Sequence, residues 1–509
     1  MDRRRFIVLG TAGSVAVLTG CGGGGGAASA MSGGVRPPSA PPTSTQVPST
    51  SPTALTPGQA LPDLVRLENA STAPATFHGT LVAERASKTL RLGSSTEFWT
   101  YNTQVPGPLI DVFEGDTLQI HLENRLSQAT TVHWHGLPVP PSQDGNPMDP
   151  IAPGGSRTYE FTLPFGSAGT YWYHPHTHEH TAEQVFRGMA GLLVVRSRTD
   201  PVPAAIEEKL LVISDLRLAS DGSIPANTAM DWQNGREGDY VLVNGHYQPV
   251  LSIVPGQSQR WRILNATNAR YLRLALDQHA FTLIGTDGGL LGAAVPGLSE
   301  ILLAPAQRVE LIVTGGLAAG ASALLQSLPY DRGTMGMGMM GSAASTIPLL
   351  TLSYSGSAAV PVALPTALRP IAPFGVPTTT KRLVFSSGMG MGGMGGGMMQ
   401  FLIDGKSFDP ARVDLTSRVN QLEQWTLENR SSMDHPFHLH GTQFQVVSRT
   451  RGGVTILEAS LAWQDVVNVP ALESVAFNVI QRAIGKRMYH CHILEHEDQG
   501  MMGVLDVIA

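Results

Sequence analysis

The sequence contains few cysteines and no excess of positive charge. Its 509 residues include two cysteines, Cys21 and Cys491, so a network of disulfide bonds is excluded. Lys and Arg total 34 against 40 Asp and Glu, and the net charge of -6 gives no reason to expect nucleic acid as a partner. Charged residues make up only 15% of the chain, whereas Gly (56) and Pro (36) are abundant. This balance favours many short strands joined by turns over long helices.

The apolar run at the N-terminus, residues 7–18, is too short to span a membrane stably. Three arginines at positions 3–5 precede it, in an arrangement that resembles a twin-arginine export signal. The tetrapeptide at 18–21 resembles a lipobox, whose cysteine is lipidated; a plain secretory signal with an incidental cysteine is the alternative. Residues 1–21 are interpreted as an export signal with a lipobox. We therefore expect an extracytoplasmic protein, in the periplasm or at the cell surface, that touches a membrane only through a lipid on Cys21.

Residues 22–60 consist mainly of Gly, Ser, Thr, Pro and Ala, with almost no large apolar side chain. Such a segment cannot bury enough surface to offset the entropy of ordering, so it is predicted to be a flexible linker. If Cys21 carries the lipid, Cys491 is the one thiol of the mature chain. A single cysteine in an exported protein calls for a specific role.

The rest of the chain contains an internal repeat with a spacing of roughly 150 residues. Each copy begins at a turn, continues through alternating strands and ends at an asparagine: Asn124, Asn265 and Asn429. The economical interpretation is an all-β protein with three β-sandwich domains, at 61–200, 201–357 and 375–509.

Two glycine-rich patches hold nine of the 18 methionines, four at residues 335–340 and five at 389–399. Glycine at this density prevents a stable helix and supplies no packed core. Both patches are predicted to be flexible loops rich in thioethers.

Four clusters contain most of the 16 histidines, and each includes a His-x-His pair. Residues i and i+2 of a strand point to the same face, so each pair presents two imidazoles side by side. Four pairs can surround several metal ions, although imidazole alone does not choose among copper, zinc, iron and nickel. The pairs are His133 and His135, His174 and His176, His438 and His440, and His490 and His492.

The fourth cluster indicates copper. A thiolate, two imidazoles and a weak axial methionine form a blue-copper electron-transfer site. Cys491, His496 and Met501 follow one another closely, and His435 is available as the second imidazole. On an extended segment, His490 and His492 point away from the side chain of Cys491. They therefore face a second metal centre, and one covalent path joins the two.

These motifs resemble those of the three-domain bacterial multicopper oxidases, which include cuprous oxidases and laccase-like enzymes. The resemblance covers residues 61–509 and is most specific in the run 490–501. It implies three consecutive cupredoxin-like Greek-key β-sandwich domains and four copper ions. The type 1 copper would be held by His435, Cys491, His496 and Met501, and the type 2 copper by His133 and His438. The type 3 pair would be held by His135, His174, His176, His440, His490 and His492, at the interface of the first and third domains.

The resemblance also implies the reaction. Electrons taken one at a time from a reductant would pass through Cys491, and dioxygen would be reduced to water. Asp144 and Glu497 match acidic positions that supply protons in this family; the alternatives are solvated acids or, for Asp144, a turn former. His178 and His180 are predicted to be solvated, with copper capture as the alternative.

Thioethers are soft ligands suited to Cu(I), so the methionine patches favour a cuprous oxidase that protects against copper. Met433, two residues before His435, could present Cu(I) to the type 1 site. One departure weakens this prediction: related cuprous oxidases have an acidic residue a few positions before that histidine, where this chain has Ser431 and Ser432. A laccase-like oxidase of phenols or other organic reductants is the alternative. A copper-free division-related relative and a two-domain nitrite reductase are disfavoured by the complete ligand set and the third domain.

Overall fold

The computed structural model describes residues 55–91, 93–334, 345–389 and 399–509, and within them the chain is almost entirely β-structure. The predicted all-β fold is confirmed. Three short helices are present, α1 (Thr181–Phe186), α2 (Ala229–Asn234) and α3 (Leu494–Asp498). In the described part of the chain, no helix has the length and apolarity needed to cross a membrane. The predicted export signal, most of the predicted linker and nearly all of both methionine patches lie outside the described residues.

The first two sheets lie between residues 76 and 196 and enclose one apolar core. Their strand orders are β2-β1-β4-β6 and β3-β8-β7-β5. The strands are β1 (Thr76–Arg91), β2 (Ser94–Tyr101), β3 (Gly107–Phe113), β4 (Thr117–Asn124), β5 (His133–His135), β6 (Ser156–Thr162), β7 (Gly169–His174) and β8 (Gly191–Arg196). In β4 every second side chain is buried, the two-residue period of a strand with one face on a core.

The second pair of sheets lies between residues 207 and 354 and encloses a core of its own. The orders are β11-β10-β9-β13-β18-β15-β16 and β12-β20-β19-β14-β17. The strands are β9 (Glu207–Leu216), β10 (Tyr240–Val243), β11 (His246–Tyr247), β12 (Val250–Ile253), β13 (Ser258–Asn265), β14 (Leu272–Leu276), β15 (Phe281–Thr286), β16 (Gly289–Leu298), β17 (Ile301–Leu303), β18 (Arg308–Thr314), β19 (Ser322–Leu328) and β20 (Ile347–Tyr354).

The third pair lies between residues 379 and 508 around a third core, which also contains Cys491. The orders are β22-β21-β24-β29-β26-β27 and β23-β31-β30-β25-β28. The strands are β21 (Thr379–Met389), β22 (Met399–Ile403), β23 (Leu415–Arg418), β24 (Leu422–Asn429), β25 (His435–Leu439), β26 (Phe444–Arg451), β27 (Val454–Leu457), β28 (Val466–Val469), β29 (Ser474–Ile480), β30 (Gly485–Cys491) and β31 (Met502–Ile508). The described chain thus contains three pairs of sheets, at residues 76–196, 207–354 and 379–508.

The asparagines that mark the repeat occupy equivalent places at the ends of β4, β13 and β24. In each case the side-chain oxygen accepts a hydrogen bond from the backbone N–H two residues later, at 2.9–3.2 Å. The amide nitrogen donates to a carbonyl four or five residues later and to a second carbonyl far along the chain. In the third domain this amide holds the carbonyl of Met433, so the asparagine shapes the turn that leads into His435.

The packed body begins earlier than the sequence predicts. Residues 55–60 were assigned to the flexible linker, but Leu55 is buried in an apolar cluster with Phe98 and Leu242. The N–H of Gly58 donates to the carbonyl of Gln248 at 3.0 Å. An apolar side chain and a backbone hydrogen bond thus hold this segment against the first and second domains, which the low-complexity composition does not reveal.

Candidate metal centres

Two neighbouring strands carry the histidines of the first domain. β5 pairs antiparallel with the end of β7, which sets His133 opposite His174. Because side chains alternate along a strand, Trp134 enters the core of the first domain while His133 and His135 share the other face. His176 follows β7 by two residues, and its ring lies 6.0 Å from that of His174.

The third domain supplies its histidines from a similar arrangement. β25 pairs antiparallel with β30, so that His438 lies opposite His490 and Phe437 lies opposite Cys491. His440 and His492 follow directly after these two strands. The N–H of His492 donates to the carbonyl of Pro436 at 2.6 Å, which continues the pairing past the end of β30.

The eight rings meet between the first and third domains, and all of them are buried. We call this set the histidine cluster: His133, His135, His174, His176, His438, His440, His490 and His492. The Nε2 atoms of His176, His440 and His490 lie 3.1–3.2 Å from one another. The Nε2 atoms of His133 and His438 are 3.3 Å apart, and Nδ1 of His135 lies 3.4 Å from Nε2 of His174. The structure thus brings together all eight histidines that the sequence groups in the cluster.

Hydrogen bonds on the outer side of the cluster fix which nitrogen carries the proton. Nδ1 of His133 donates to the carbonyl of Asp144 at 2.9 Å, and Nδ1 of His438 donates to that of Asp465 at 2.8 Å. A carbonyl oxygen can only accept, so in the neutral form of each ring the lone pair is on Nε2. Two facing lone pairs at 3.3 Å cannot bond to each other. They are the arrangement that a metal ion between them would satisfy.

The electrostatics of the cluster fit a metal as well. Burial lowers the pKa of His176 to about 3, and burial with the neighbouring histidines lowers the pKa of His440 well below its ordinary value. The ring of His492 is buried with no hydrogen-bond partner at either nitrogen. An unpaired buried polar group costs about 1–3 kcal/mol. Neutral imidazoles held together at this cost are suited to copper and to the other ions that imidazole binds.

A second group of ligands lies within the third domain, and we call it the thiol site: His435, Cys491 and His496. The Sγ of Cys491 is 3.5 Å from Nδ1 of His435 and 4.0 Å from Nδ1 of His496. The outer nitrogens are engaged, since Nε2 of His435 lies 2.8 Å from Oγ of Ser431 and Nε2 of His496 donates to the carbonyl of Gln233 at 3.3 Å. Burial raises the pKa of the Cys491 thiol well above its ordinary value. A thiolate therefore forms here only beside a cation, as copper would provide.

Apolar side chains surround the thiol site. Met501 is fully buried in the same core as Cys491, and its carbonyl accepts the N–H of Cys491 at 3.0 Å. The ring of Phe401 stacks on His496 with centroids 3.6 Å apart. Met433 is also fully buried in this core, so its thioether is not exposed to solvent. One apolar core therefore holds the thiol together with two methionines.

Cys491 connects the two groups of ligands. Its side chain belongs to the thiol site, whereas the side chains of His490 and His492 belong to the histidine cluster. Nδ1 of His490 donates to the carbonyl of Cys491 at 3.0 Å, which adds a hydrogen bond to the covalent path. The alternation that the sequence predicts for this segment is the alternation that β30 shows.

The two candidate acids touch the outer side of the cluster. Asp144 is buried, and its Oδ2 accepts from Nδ1 of His440 at 3.0 Å. Glu497 is buried next to His490, whose Nδ1 lies 3.1 Å from Oε2. Burial raises the pKa of Glu497, but the facing His176 and His490 lower it, to about 2. Both acids thus contact ligand histidines and are not solvated loop acids.

The sequence does not predict several other features of the two sites. Asp465, on the segment that leads into β28, is buried and contacts two histidines of the cluster, and Gln233 of α2 covers His496. No local motif marks either residue, because each reaches the site only through tertiary packing. His178 and His180, predicted to be solvated, are half-buried instead. The ring of His178 packs 4.9 Å from that of Phe408, which accounts for its partial burial.

Family models for multicopper oxidases match residues 84–200, 215–330 and 381–509. The chain belongs to the multicopper oxidase family. One relative, the multicopper oxidase mco of Staphylococcus aureus, is 32% identical over 443 residues, which are 84% of this chain and 88% of that protein.

Solved structures of the same family share the fold. The multicopper oxidase of Campylobacter jejuni, described as a metallo-oxidase, has a TM-score of 0.84 at 42% identity and covers 90% of this chain and 97% of its own. A laccase from Pediococcus acidilactici has a TM-score of 0.78 at 31% identity, with 90% and 95% covered. This multicopper oxidase is therefore an oxidoreductase that uses copper, dioxygen and a reductant. The predicted cupredoxin-like architecture is confirmed.

Proposed function

We propose that the protein binds four copper ions, oxidises Cu(I) to Cu(II) and passes the electrons to dioxygen. His435, Cys491, His496 and Met501 would hold the type 1 ion, and His133 and His438 the type 2 ion. The type 3 pair would be held by His135, His174, His176, His440, His490 and His492. Bound copper supplies the one-electron chemistry that couples four oxidations to one molecule of dioxygen. The reaction balances as four Cu(I), one O2 and four protons giving four Cu(II) and two waters.

The protein's own groups would manage the protons. Asp144 accepts a hydrogen bond from Nδ1 of His440, and Oε2 of Glu497 lies 3.1 Å from Nδ1 of His490, so a carboxylate faces the outer nitrogen of each ring. They are buried carboxylates at the edge of the cluster, where protons for water formation must pass. Because its pKa is lowered, Glu497 is ionised near neutral pH and places a negative charge beside His176 and His490.

One observation supports Cu(I) as the electron donor: the described residues that flank both methionine patches lie against the thiol site. The carbonyl of Arg332, three residues before the first patch, accepts the N–H of Asp434 at 2.7 Å. The second patch runs between β21 and β22, and Phe401 of β22 stacks on His496. The described residues that flank both patches thus lie beside His435 and His496, and the patches supply thioethers, the soft ligands that suit Cu(I). Met433, buried beside them, would present the ion.

The covering of His496 also favours a metal ion over an organic donor. Its Nε2 is engaged by the carbonyl of Gln233, and the ring is buried under α2. A phenol therefore finds no free ring edge to hydrogen-bond. The neighbour described as a metallo-oxidase supports the same choice. Oxidation of phenols or other organic reductants is the second candidate, supported by the similarity to a laccase.

The proposed role is protection against copper outside the cytoplasm. We infer this role from the proposed Cu(I) oxidation together with the predicted export signal and the lipid anchor expected at Cys21. Dioxygen and Cu(I) are then the partners, and the membrane is touched only through that lipid. A shift of the protein to the soluble extracytoplasmic fraction on replacement of Cys21 by Ser would support the anchor.

The electron donor can be tested by replacing methionines without changing their volume. Met391, Met394 and Met398 are changed together to Leu, and the exposed Met230 of α2 is changed to Leu as a control. Oxygen consumption is measured with Cu(I) and with a phenol. We expect kcat/KM for Cu(I) to fall by about an order of magnitude, with the phenol rate and the control unchanged. Equal losses for both donors would contradict the proposal.

A further inference from the structure

One buried aspartate, Asp465, contacts two histidines of the cluster, one through its carboxylate and one through its backbone carbonyl. Oδ1 of Asp465 accepts from Nε2 of His135 at 3.1 Å, and the backbone carbonyl of Asp465 accepts from Nδ1 of His438 at 2.8 Å. The rings of His135 and His438 stack with centroids 3.8 Å apart. The two rings come from different domains, so this single residue sets their relative position.

The ring of His135 is oriented differently from its neighbours, with its inward and outward nitrogens exchanged. His133, His174 and His438 direct Nδ1 outward to carbonyl oxygens and Nε2 inward. His135 directs Nε2 outward to Asp465 and turns Nδ1 toward Nε2 of His174, 3.4 Å away. A carboxylate that accepts from the outer nitrogen fixes the tautomer and makes the inner nitrogen more basic. Asp465 therefore selects which nitrogen of His135 faces the cluster.

Asp465 is itself held by Arg308 of the second domain. Nη1 and Nη2 of Arg308 donate to Oδ1 and Oδ2 at 2.7 and 2.6 Å, a two-pronged ion pair that is fully buried. Nε of Arg308 donates to the carbonyl of Thr170 in the first domain at 2.8 Å. Burial opposes the charge on Arg308, but Asp465 and Asp287 raise its pKa. Arg308 therefore stays charged and joins all three domains.

The backbone around the ion pair of Arg308 and Asp465 packs closely against it. Gly136, directly after His135, has a φ of +84°, and a Cβ there would lie 2.2 Å from Oδ2 of Asp465. Asp287 accepts the backbone N–H of Arg308 at 2.8 Å and those of Asp465 and Val466 at 3.3 Å. Both partners are thus fixed by backbone as well as by side chain.

We infer that Arg308 and Asp465 are positioning residues through which the second domain, which contributes none of the proposed ligands, sets the geometry of the type 2 site and of His135 in the type 3 pair. The two residues act on the ligands and do not touch the reacting atoms. The inference rests on the proposed assignment of the histidine cluster to copper and is independent of the electron donor.

The test compares a charge-neutral double variant with a matched control. R308M/D465N removes both charges of the two-pronged pair together. The buried Asp287, whose Oδ1 lies 3.6 Å from Nη1 of Arg308, loses that cation, so thermal unfolding is measured to show that the variant folds. E310Q is the control, because Glu310 is equally buried and pairs with Arg260 and Arg262 of the same sheet but contacts no ligand. Copper per chain, the visible absorption of the thiol site and the electron paramagnetic resonance spectrum of the type 2 ion are measured for each.

We expect R308M/D465N to bind fewer than four copper ions, to lose or alter the type 2 spectrum and to keep the visible absorption of the thiol site. D465N alone retains an acceptor oxygen and is expected to keep more copper than the double variant. E310Q should keep the full copper content. A double variant with four ions and an unchanged type 2 spectrum would overturn the inference. A wild-type protein that binds no copper in the cluster would instead overturn the copper assignment.

Discussion

The thiol site and the histidine cluster are both fully buried, yet they are assembled in different ways. The three ligands of the thiol site all belong to the third domain, on β25 and on the segment from Cys491 into α3. The cluster takes four rings from each of two domains, and a charged residue of the remaining domain stabilises it. The thiol site thus depends on local strand pairing, whereas the cluster depends on how the domains dock.

The difference extends to how each site responds to the loss of one residue. A change at the thiol site should affect a single ion and leave the cluster loaded. A change in the cluster or in the residues that hold it should leave the thiol site intact. Cys491 follows the same rule: it lies between two residues of the cluster along the chain, but its own side chain belongs to the thiol site alone.

The largest effect is expected from replacing Cys491 with Ser. The intense visible absorption of a thiolate-bound copper should disappear, and oxygen consumption with any reductant should fall to the assay background. Copper analysis should still find the three proposed cluster ions, because the histidine rings are untouched. A variant that keeps its turnover would show that electrons bypass the thiol site, which would contradict the separate roles of the two sites.

Replacing Asp144 with Asn should reduce turnover by about 10- to 100-fold, the usual cost of disturbing a group that orients a metal ligand. Asp144 holds His440 and lies next to His133, so the loss should appear in the cluster alone. The visible absorption of the thiol site should not change. The exposed Asp149, changed to Asn, is the control and should behave as wild type.

Acid should destabilise the copper-free protein through one histidine of each site. Burial is the main cause that lowers the pKa of His176 and of His435 to about 3. The unfolded chain takes up these protons below about pH 6.5, whereas the folded protein does not until about pH 3. Stability is therefore present above about pH 6.5 and is lost as the pH falls toward 3.

The expected loss is about 2 kcal/mol for each histidine at about pH 5. It is measured as the midpoint of thermal unfolding of copper-free protein at about pH 5 and about pH 7.5. Copper-loaded protein is the control and should change less, because the metal occupies the nitrogens that protons would reach. An acid-insensitive copper-free protein would contradict the buried, neutral state of both rings.

The smallest effect is expected from replacing Ser431 with Ala. His435 would lose the hydroxyl that lies 2.8 Å from its Nε2, at a cost of about 1 kcal/mol in the free energy of unfolding. A small shift in the visible absorption should accompany this loss, with copper content and the type 2 spectrum unchanged. A change in the cluster signal would show that the two sites are more strongly coupled than their assembly suggests.

The sequence predicts which histidines the structure brings together because their spacing follows strand geometry. The His-x-His pairs and the position of Cys491 between two histidines need only the two-residue period of a strand. It does not predict Asp465, Arg308 or Gln233, because their contacts depend on docking between distant segments. The linker boundary was misplaced for the same reason, since Leu55 finds its apolar partners only in the folded protein.

The central claim is that one copper ion lies at the thiol site and three lie in the histidine cluster. Anomalous diffraction at the copper absorption edge, from crystals of the copper-loaded protein, tests it most directly. The account predicts one peak between Cys491, His435 and His496 and three peaks among the eight histidines between the first and third domains. No peak at Cys491, or fewer than three peaks in a fully loaded cluster, would contradict it.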